Sequence, residues 1–254
     1  MIKINLNTSK KIYFSSDNHL GAPDEKVSFE RELRFISWLD LIKKDAQTIF
    51  LLGDLFDFWF EYKHVVPKGY TRLFGKLAEL SDSGIEIFFF IGNHDCWVKD
   101  YFEKELNIKV LKKPTKFQID NNKLFIGHGD GLGPGDYKYK FLKIIFRNII
   151  TKKLFSFLHP DIAISLGNFL SRKNKIISGN DKKFSNKENE LLYHFCKQKL
   201  SDEHFNYFIF GHRHYPLEID LGNNSKYLNT GDWISFFSYI EYNGTSFSLK
   251  YFKD

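Results

Sequence analysis

The chain has 254 residues, of which 43% are hydrophobic and 18% aromatic, so a disordered chain is excluded and a sizeable buried core is expected. It has only two cysteines, no signal-peptide pattern and no apolar stretch long enough to span a membrane, which excludes a disulfide-rich secreted protein and predicts a cytoplasmic one. The net charge is +6, but residues 134–190 alone contain twelve basic and five acidic side chains, so one internal segment carries the whole excess.

Apolar runs alternate with helical patterns in the first part of the chain. This order predicts parallel βαβ units with right-handed crossovers. The predicted elements are a strand in "KKIYFSS", a helix in "FERELRFISWLDLIKKD", a strand in "TIFLL", a helix in "YTRLFGKLAELSDSG" and a strand in "IEIFFFI".

The second part of the chain begins with a predicted hairpin in "TKFQIDNNKLFIGHGD", with its turn at residues 120–122. The basic segment follows and is predicted to be mostly helical. An amphipathic helix in "NKENELLYHFCKQKLSD" and a strand in "FNYFIF" come next. The tail is rich in strand patterns, and Asn243-Gly244 predicts a hairpin turn.

Polar side chains able to bind metal follow five of the predicted strands. In open α/β sheets, ligands lie beyond the carboxyl ends of the strands, so these loops are expected to converge. Glycine precedes the key residue in four of them, which lets the backbone turn sharply out of the sheet. The residues are Asp17 and His19 in "SDNHLG", Asp54 in "GDLFD", Asn93, His94 and Asp95 in "GNHD", His128 in "GHGD", and His212 and His214 in "GHRH".

The mixture of Asp, Asn and His without Cys suits divalent ions such as Mn²⁺, Fe²⁺ or Zn²⁺. Two neighbouring cations need a shared anionic ligand, and Asp54 is the candidate for that bridge. Taken alone, Gly-Asp after a strand is usually a turn or helix cap, and "DNH" is most often an ordinary loop. "GNHD" alone also fits a turn that caps the next helix, and "GHGD" and "GHRH" alone also fit surface loops. Asp57 fits either a loop cap or a group that positions a ligand. The five motifs together, each after an apolar run, favour a site for two divalent ions.

The order D-x-H, G-D-x-x-D, G-N-H-D, G-H and G-H-x-H resembles the calcineurin-like metallophosphoesterase superfamily, from Asp17 to His214. The resemblance implies an α/β fold, a four-layer sandwich of two mixed β-sheets flanked by helices. It also implies that Asp54 bridges two metal ions. The other ligands would be Asp17, His19 and His214 for one ion, and Asn93, His128 and His212 for the other.

The same resemblance implies a hydrolase, because two bound ions activate water and stabilise the charge on a phosphoryl group. His94 follows the ligand Asn93 and would protonate or electrostatically stabilise the leaving oxygen. Asp95 would hold the His94 imidazole in this catalytic pair, or cap a helix.

Residues 134–190 are predicted to form an inserted helical cap on a core made of residues 1–133 and 191–254. The insert alternates Lys and Arg with Phe, Ile and Leu, a pattern that suits a membrane interface or a lid that accepts acyl chains. Two alternatives are a helical hairpin with a solvated basic face and a surface for nucleic acid.

A cap in this position resembles the bacterial UDP-2,3-diacylglucosamine pyrophosphatase family of the lipid A pathway. That resemblance implies Mn²⁺-dependent hydrolysis of an acylated UDP-sugar to UMP and 2,3-diacylglucosamine 1-phosphate. It implies peripheral contact with the cytoplasmic face of the inner membrane, and neither a nucleic-acid nor an obligate protein partner. The chain departs from well-known members at His94, where they carry Arg. The substrate contacts implied are Asn93, His94, Asp136, Tyr139 and Ser171.

Two other functions fit the sequence. One is a metallophosphodiesterase acting on another nucleotide or on nucleic acid, whose cap would offer a polar basic groove. The other is a scaffold that kept the fold and lost its chemistry, although all seven predicted ligand positions are filled.

Overall fold

The fold is given by a computed structural model that describes residues 1–135, 137–177 and 186–253, except the side chains of Lys138 and residues 172–177. The strands are β1 (Ile2–Ile4), β2 (Lys11–Ser15), β3 (Ala46–Leu51), β4 (Glu86–Phe90), β5 (Lys109–Leu111), β6 (Thr115–Ile119), β7 (Asn122–Ile126), β8 (Tyr207–Phe210), β9 (Pro216–Gly222), β10 (Ser225–Thr230), β11 (Ser238–Tyr242) and β12 (Phe247–Tyr251). The helices are α1 (Glu25–Ile42), α2 (Thr71–Asp82), α3 (Tyr101–Leu106), α4 (Tyr137–Arg147), α5 (Ile149–Phe155), α6 (Pro160–Ile177) and α7 (Leu191–Asp202).

The strands form two mixed sheets of six, in the orders β1-β6-β7-β8-β10-β9 and β12-β11-β2-β3-β4-β5. Strands β2 to β5 are parallel, as are β7 and β8, while β11 and β12 form an antiparallel hairpin. The sequence patterns therefore predicted the order of the main elements correctly. The short elements β1, α3 and β5 were not predicted.

Alternating side chains of the central strands build two separate cores, because successive residues of a strand point to opposite faces. Phe14, Phe50 and Phe88 lie between the sheets, where the ring centroids of successive pairs are 4.7 and 5.0 Å apart. Their neighbours Tyr13 and Ile49 face helices α1 to α3 on the outer side of the second sheet. Helix α7 covers the first sheet through a third cluster. The four-layer sandwich expected from the sequence is confirmed.

Helices α4 to α6, here called the cap helices, contact the core through a few aromatic residues. Trp97 Nε1 donates a hydrogen bond to the carbonyl of Phe146 at 2.6 Å. Helix α6 lies close to Phe58, since a Cβ added at Gly167 would lie 2.2 Å from that ring. Among the described residues, no helix has the length and apolar character needed to cross a membrane.

Candidate metal centre

The loops after β2, β3, β4, β7 and β8 meet at one end of the two sheets. Backbone hydrogen bonds join them: Asp17 N donates to Gly53 O at 3.0 Å, and His19 N donates to Asp54 O at 2.9 Å. Gly211 N donates to His128 O at 2.9 Å, which joins two loops of the other sheet. The convergence expected from the parallel strands is therefore present, and loops of both sheets contribute to one site.

Most of the predicted ligands have left-handed backbone conformations, which Asp and His tolerate better than most residues. Such conformations cost roughly 1–3 kcal/mol each and persist where the surroundings fix them, often at functional sites. Gly92 allows the loops to approach closely, because a Cβ there would lie 2.1 Å from Asp54 Oδ1. The φ angles are 56° at Asp17, 44° at His19, 53° at Asp54, 64° at His212 and 53° at His214.

The first group of converging atoms comes from Asp17, His19, Asp54 and His214, whose ligand atoms all lie within 4.8 Å of one another. His19 Nε2 is 3.1 Å from His214 Nε2, and His214 Nε2 is 3.3 Å from Asp17 Oδ1. Asp17 Oδ1 is buried and has no hydrogen-bond partner among the described residues. A buried carboxylate oxygen without a partner, facing two imidazole nitrogens, fits a divalent cation.

The second group comes from Asp54, His128 and His212, again within 4.8 Å. His128 Nε2 lies 3.3 Å from Asp54 Oδ2 and 3.0 Å from Asn93 Oδ1. Asp54 belongs to both groups, so the geometry agrees with the bridging position predicted for it. All seven predicted ligands lie at this centre.

Each of three histidines has a partner for Nδ1, which leaves Nε2 directed at the centre. His128 Nδ1 lies 2.7 Å from the carbonyl of Leu52, and His19 Nδ1 lies 3.1 Å from Asp57 Oδ1. His214 Nδ1 lies 3.6 Å from Asp232 Oδ2. The contact of Asp57 with His19 is the geometry that its predicted role of positioning a ligand requires. Asp232 was not predicted, because no motif marks it.

The charges of the centre favour ionised carboxylates despite complete burial. Burial opposes ionisation of Asp17, but the nearby histidines, His214 foremost, lower its pKa to about 2. Burial also opposes ionisation of Asp54, but His128, His94 and His19 together hold its pKa well below its usual value. Burial and then the charge of His128 lower the pKa of His212 to about 4. Burial opposes protonation of His128, but the charge of Asp54 raises its pKa to about 10, so a cation at the centre should compete with the proton on His128.

The sequence matches the Calcineurin-like phosphoesterase family over residues 10–216. The chain belongs to this family. A Porphyromonas gingivalis protein named UDP-2,3-diacylglucosamine hydrolase is 37% identical over 96% of this chain and 98% of its own length. A Haemophilus ducreyi protein of the same name is 26% identical over 87% and 91%. A solved structure of Vacuolar Protein Sorting 29 from Cryptosporidium parvum covers 98% of this chain and 100% of its own, at 10% identity and a TM-score of 0.46.

His94, beside the predicted ligand Asn93 in this phosphoesterase, lies at the edge of the first group. Its Nδ1 is 2.8 Å from the carbonyl of Asp57 and 2.9 Å from Ser171 Oγ. Its ring centroid is 4.6 Å from that of His19. The side chain predicted to meet the leaving group is thus held by a core loop and a cap helix together.

Asp95 is a correction to the predicted arrangement. Its two carboxylate oxygens accept hydrogen bonds from Gly92 N at 2.6 Å and Leu55 N at 2.9 Å. Burial, and then the charge of Asp54, raises the pKa of Asp95 to about 7. These bonds tie the β4 loop to the β3 loop, in place of the predicted imidazole support or helix cap. The spacing in "GNHD" gave no indication of this, because Leu55 is distant in sequence.

The cap helices bring two of the predicted substrate residues to the centre. Tyr139 OH donates to Asp130 Oδ2 at 2.7 Å, and its ring centroid lies 6.2 Å from that of His212. Ser171 is buried at the opposite side, against Asp57. Asp136 lies outside the described residues. Asp130, quoted in "GHGD" but given no role, anchors α4 through Tyr139 and Lys143.

Proposed function

We propose that this phosphoesterase hydrolyses the diphosphate of UDP-2,3-diacylglucosamine to UMP and 2,3-diacylglucosamine 1-phosphate, a step of lipid A biosynthesis. The observation that carries the proposal is two groups of mostly buried metal-competent side chains that share Asp54, beside cap helices whose large apolar side chains are exposed. The names of relatives that match nearly the whole chain support the same substrate.

The centre is proposed to hold two divalent ions, Mn²⁺ by preference, with Fe²⁺ and Zn²⁺ as alternatives. Such ions, when bound, activate water and stabilise charge on the phosphoryl group. Asp57, Asp232 and the Leu52 carbonyl keep the histidine rings oriented for this. Asp54 would serve both ions. The first ion would be held also by Asp17, His19 and His214, and the second by Asn93, His128 and His212.

His94 is proposed to act on the leaving oxygen. The Asp57 carbonyl accepts a hydrogen bond only from a protonated Nδ1, which makes Nε2 the ring atom that would face the substrate. Ser171 Oγ, 2.9 Å from Nδ1, fixes the ring from the side of the cap. In this arrangement Ser171 acts mainly by positioning His94, while Asn93 and Tyr139 would contact the substrate.

Residues 134–190 are proposed to form the cap, and residues 1–133 and 191–254 the catalytic core. In the cap, Phe141 is 64% exposed, Ile149 79% and Phe157 77%. Removing apolar surface from water lowers the free energy by about 25 cal/mol per Å². Contact with acyl chains or a bilayer would therefore be favourable at this surface. The lysines and arginines among these residues suit anionic headgroups, so peripheral contact with the inner membrane is proposed as well.

The test is release of UMP from UDP-2,3-diacylglucosamine by the purified protein with Mn²⁺, with and without EDTA. UDP-glucosamine, which lacks the acyl chains, is the matched control substrate. We expect UMP from the acylated substrate only, and none with EDTA. If the protein released no UMP but cleaved a simple phosphodiester with Mn²⁺, the two-ion centre would be supported and the assigned substrate would be ruled out.

A further inference from the structure

Arg31 is a buried cation on α1, 8% exposed, behind the loop that carries His19. Its Nη1 lies 3.0 Å from each of three carbonyl oxygens, those of Asn18, His19 and Ala22. Carbonyls in a tight turn lack the partners that helices and strands provide, and buried unpaired ones are costly. Arg31 therefore satisfies the backbone where His19 takes its left-handed conformation, with φ at 44°.

The charge of Arg31 also has specific neighbours. Burial lowers the pKa of Arg31, and the negative charges of Asp232 and Asp57 act in the opposite direction. These two carboxylates lie behind His214 and His19, and they are 3% and 1% exposed. An arginine stays protonated in proteins, so its hydrogen bonds to the loop carbonyls are charge-assisted.

We propose that Arg31 is a positioning residue for the first ion, because its contacts with three backbone carbonyls hold the loop that carries His19. The inference rests on the two-ion centre of the proposed function. The second ion depends on other groups, since His128 is oriented by the carbonyl of Leu52. Loss of Arg31 should therefore weaken one ion far more than the other.

The test compares Arg31→Met, which removes charge and donors at similar length, with Arg31→Lys, which keeps the charge. Arg72→Met is the matched control. Arg72 lies on α2, and its guanidinium carbon is 5.0 Å from the centroid of the Phe29 ring. Metal-stripped full-length protein is titrated with Mn²⁺ by calorimetry, and the loaded protein is measured by electron paramagnetic resonance. The wild type and Arg72→Met should bind two equivalents and give the spectrum of a coupled pair.

In Arg31→Met, one equivalent should bind about 10- to 100-fold more weakly, as for lost outer-shell partners, and the spectrum should become that of isolated Mn²⁺. Arg31→Lys should lie between the two. The role would be overturned if Arg31→Met still bound two equivalents of Mn²⁺ tightly. It would also be overturned if both equivalents bound equally weakly and the metal-free variant unfolded at a lower temperature. If Arg31→Met does not fold, Arg31→Lys decides: selective weakening supports the role and wild-type binding overturns it. A wild type that binds only one equivalent would instead overturn the two-ion centre.

Discussion

Ser171 Oγ donates a hydrogen bond to Asp57 Oδ2 at 2.8 Å, which joins cap helix α6 to the carboxylate that orients His19. The other oxygen of Asp57 lies 3.1 Å from His19 Nδ1. Movement of α6 away from the core would break the first bond and leave part of a buried carboxylate without that partner. The position of the cap and the geometry of the first group of converging side chains are therefore linked through Asp57.

Asp57→Asn should weaken binding of the first ion with little change in fold. The amide has nearly the same shape, but one end now carries N–H groups, so it cannot accept from both Ser171 and His19. We expect the affinity for one Mn²⁺ to fall about 10- to 100-fold. Calorimetric titration measures this, with Asp40→Asn as the control, since Asp40 pairs with Lys76 at the surface. An unchanged titration would mean that other contacts orient His19.

Asp54→Asn should abolish turnover, because the residue belongs to both groups of converging ligand atoms. The loss should exceed the roughly 100-fold that follows removal of an outer-shell partner. Hydrolysis of a small chromogenic phosphodiester with Mn²⁺ measures it, and circular dichroism checks that the variant folds. Near-normal activity would rule out the bridging assignment.

Gly92→Ala tests the close approach of two loops. The new Cβ would lie 2.1 Å from Asp54 Oδ1, so either the β4 loop or the carboxylate must move. We expect destabilisation of about 1–3 kcal/mol together with loss of Mn²⁺ binding. Gly75→Ala is the control, because its Cβ meets nothing within 4 Å and it lies inside α2, where alanine should stabilise by about 0.5–1 kcal/mol. Normal Mn²⁺ binding in Gly92→Ala would show that the loops adjust freely.

The sequence alone was sufficient to predict that these metal-competent side chains converge, because each follows an apolar strand pattern and parallel strands end at the same edge. Asp17 and His214 are far apart in sequence, yet topology brings Asp17 Oδ1 within 3.3 Å of His214 Nε2. The supporting groups could not be predicted in this way. Asp232 and Arg31 act through contacts that no local spacing encodes, since one follows a strand of the first sheet and the other lies in mid-helix.

Asp95 shows that proximity in sequence can also predict a contact that the structure does not contain. Its place after His94 suggested a direct partnership, but its carboxylate reaches Leu55 N in the adjacent loop. Adjacent side chains in a turn point in different directions, so sequence proximity was a poor guide to contact there. The helical character of the insert was predicted, whereas its attachment through Trp97 to the carbonyl of Phe146 depends on tertiary packing.

The last prediction separates the two parts of the proposed substrate. Four apolar residues of the cap are replaced by Ser: Phe141, Ile145, Leu154 and Phe157. The variant should hydrolyse a small phosphodiester at the normal rate but should hydrolyse the acylated substrate much more slowly. These side chains are 39–77% exposed, so little buried apolar contact is lost and the protein should still fold.

The matched control is Val65→Ser, which alters an apolar residue of the core that is 48% exposed. Steady-state rates on both substrates give the first comparison, and co-sedimentation with anionic vesicles gives a second. Loss of the acylated reaction in detergent, without vesicles, would place the acyl chains on the cap. Loss of vesicle binding with a normal reaction in detergent would make the cap a membrane contact. Equal loss on both substrates would argue that the cap is only structural.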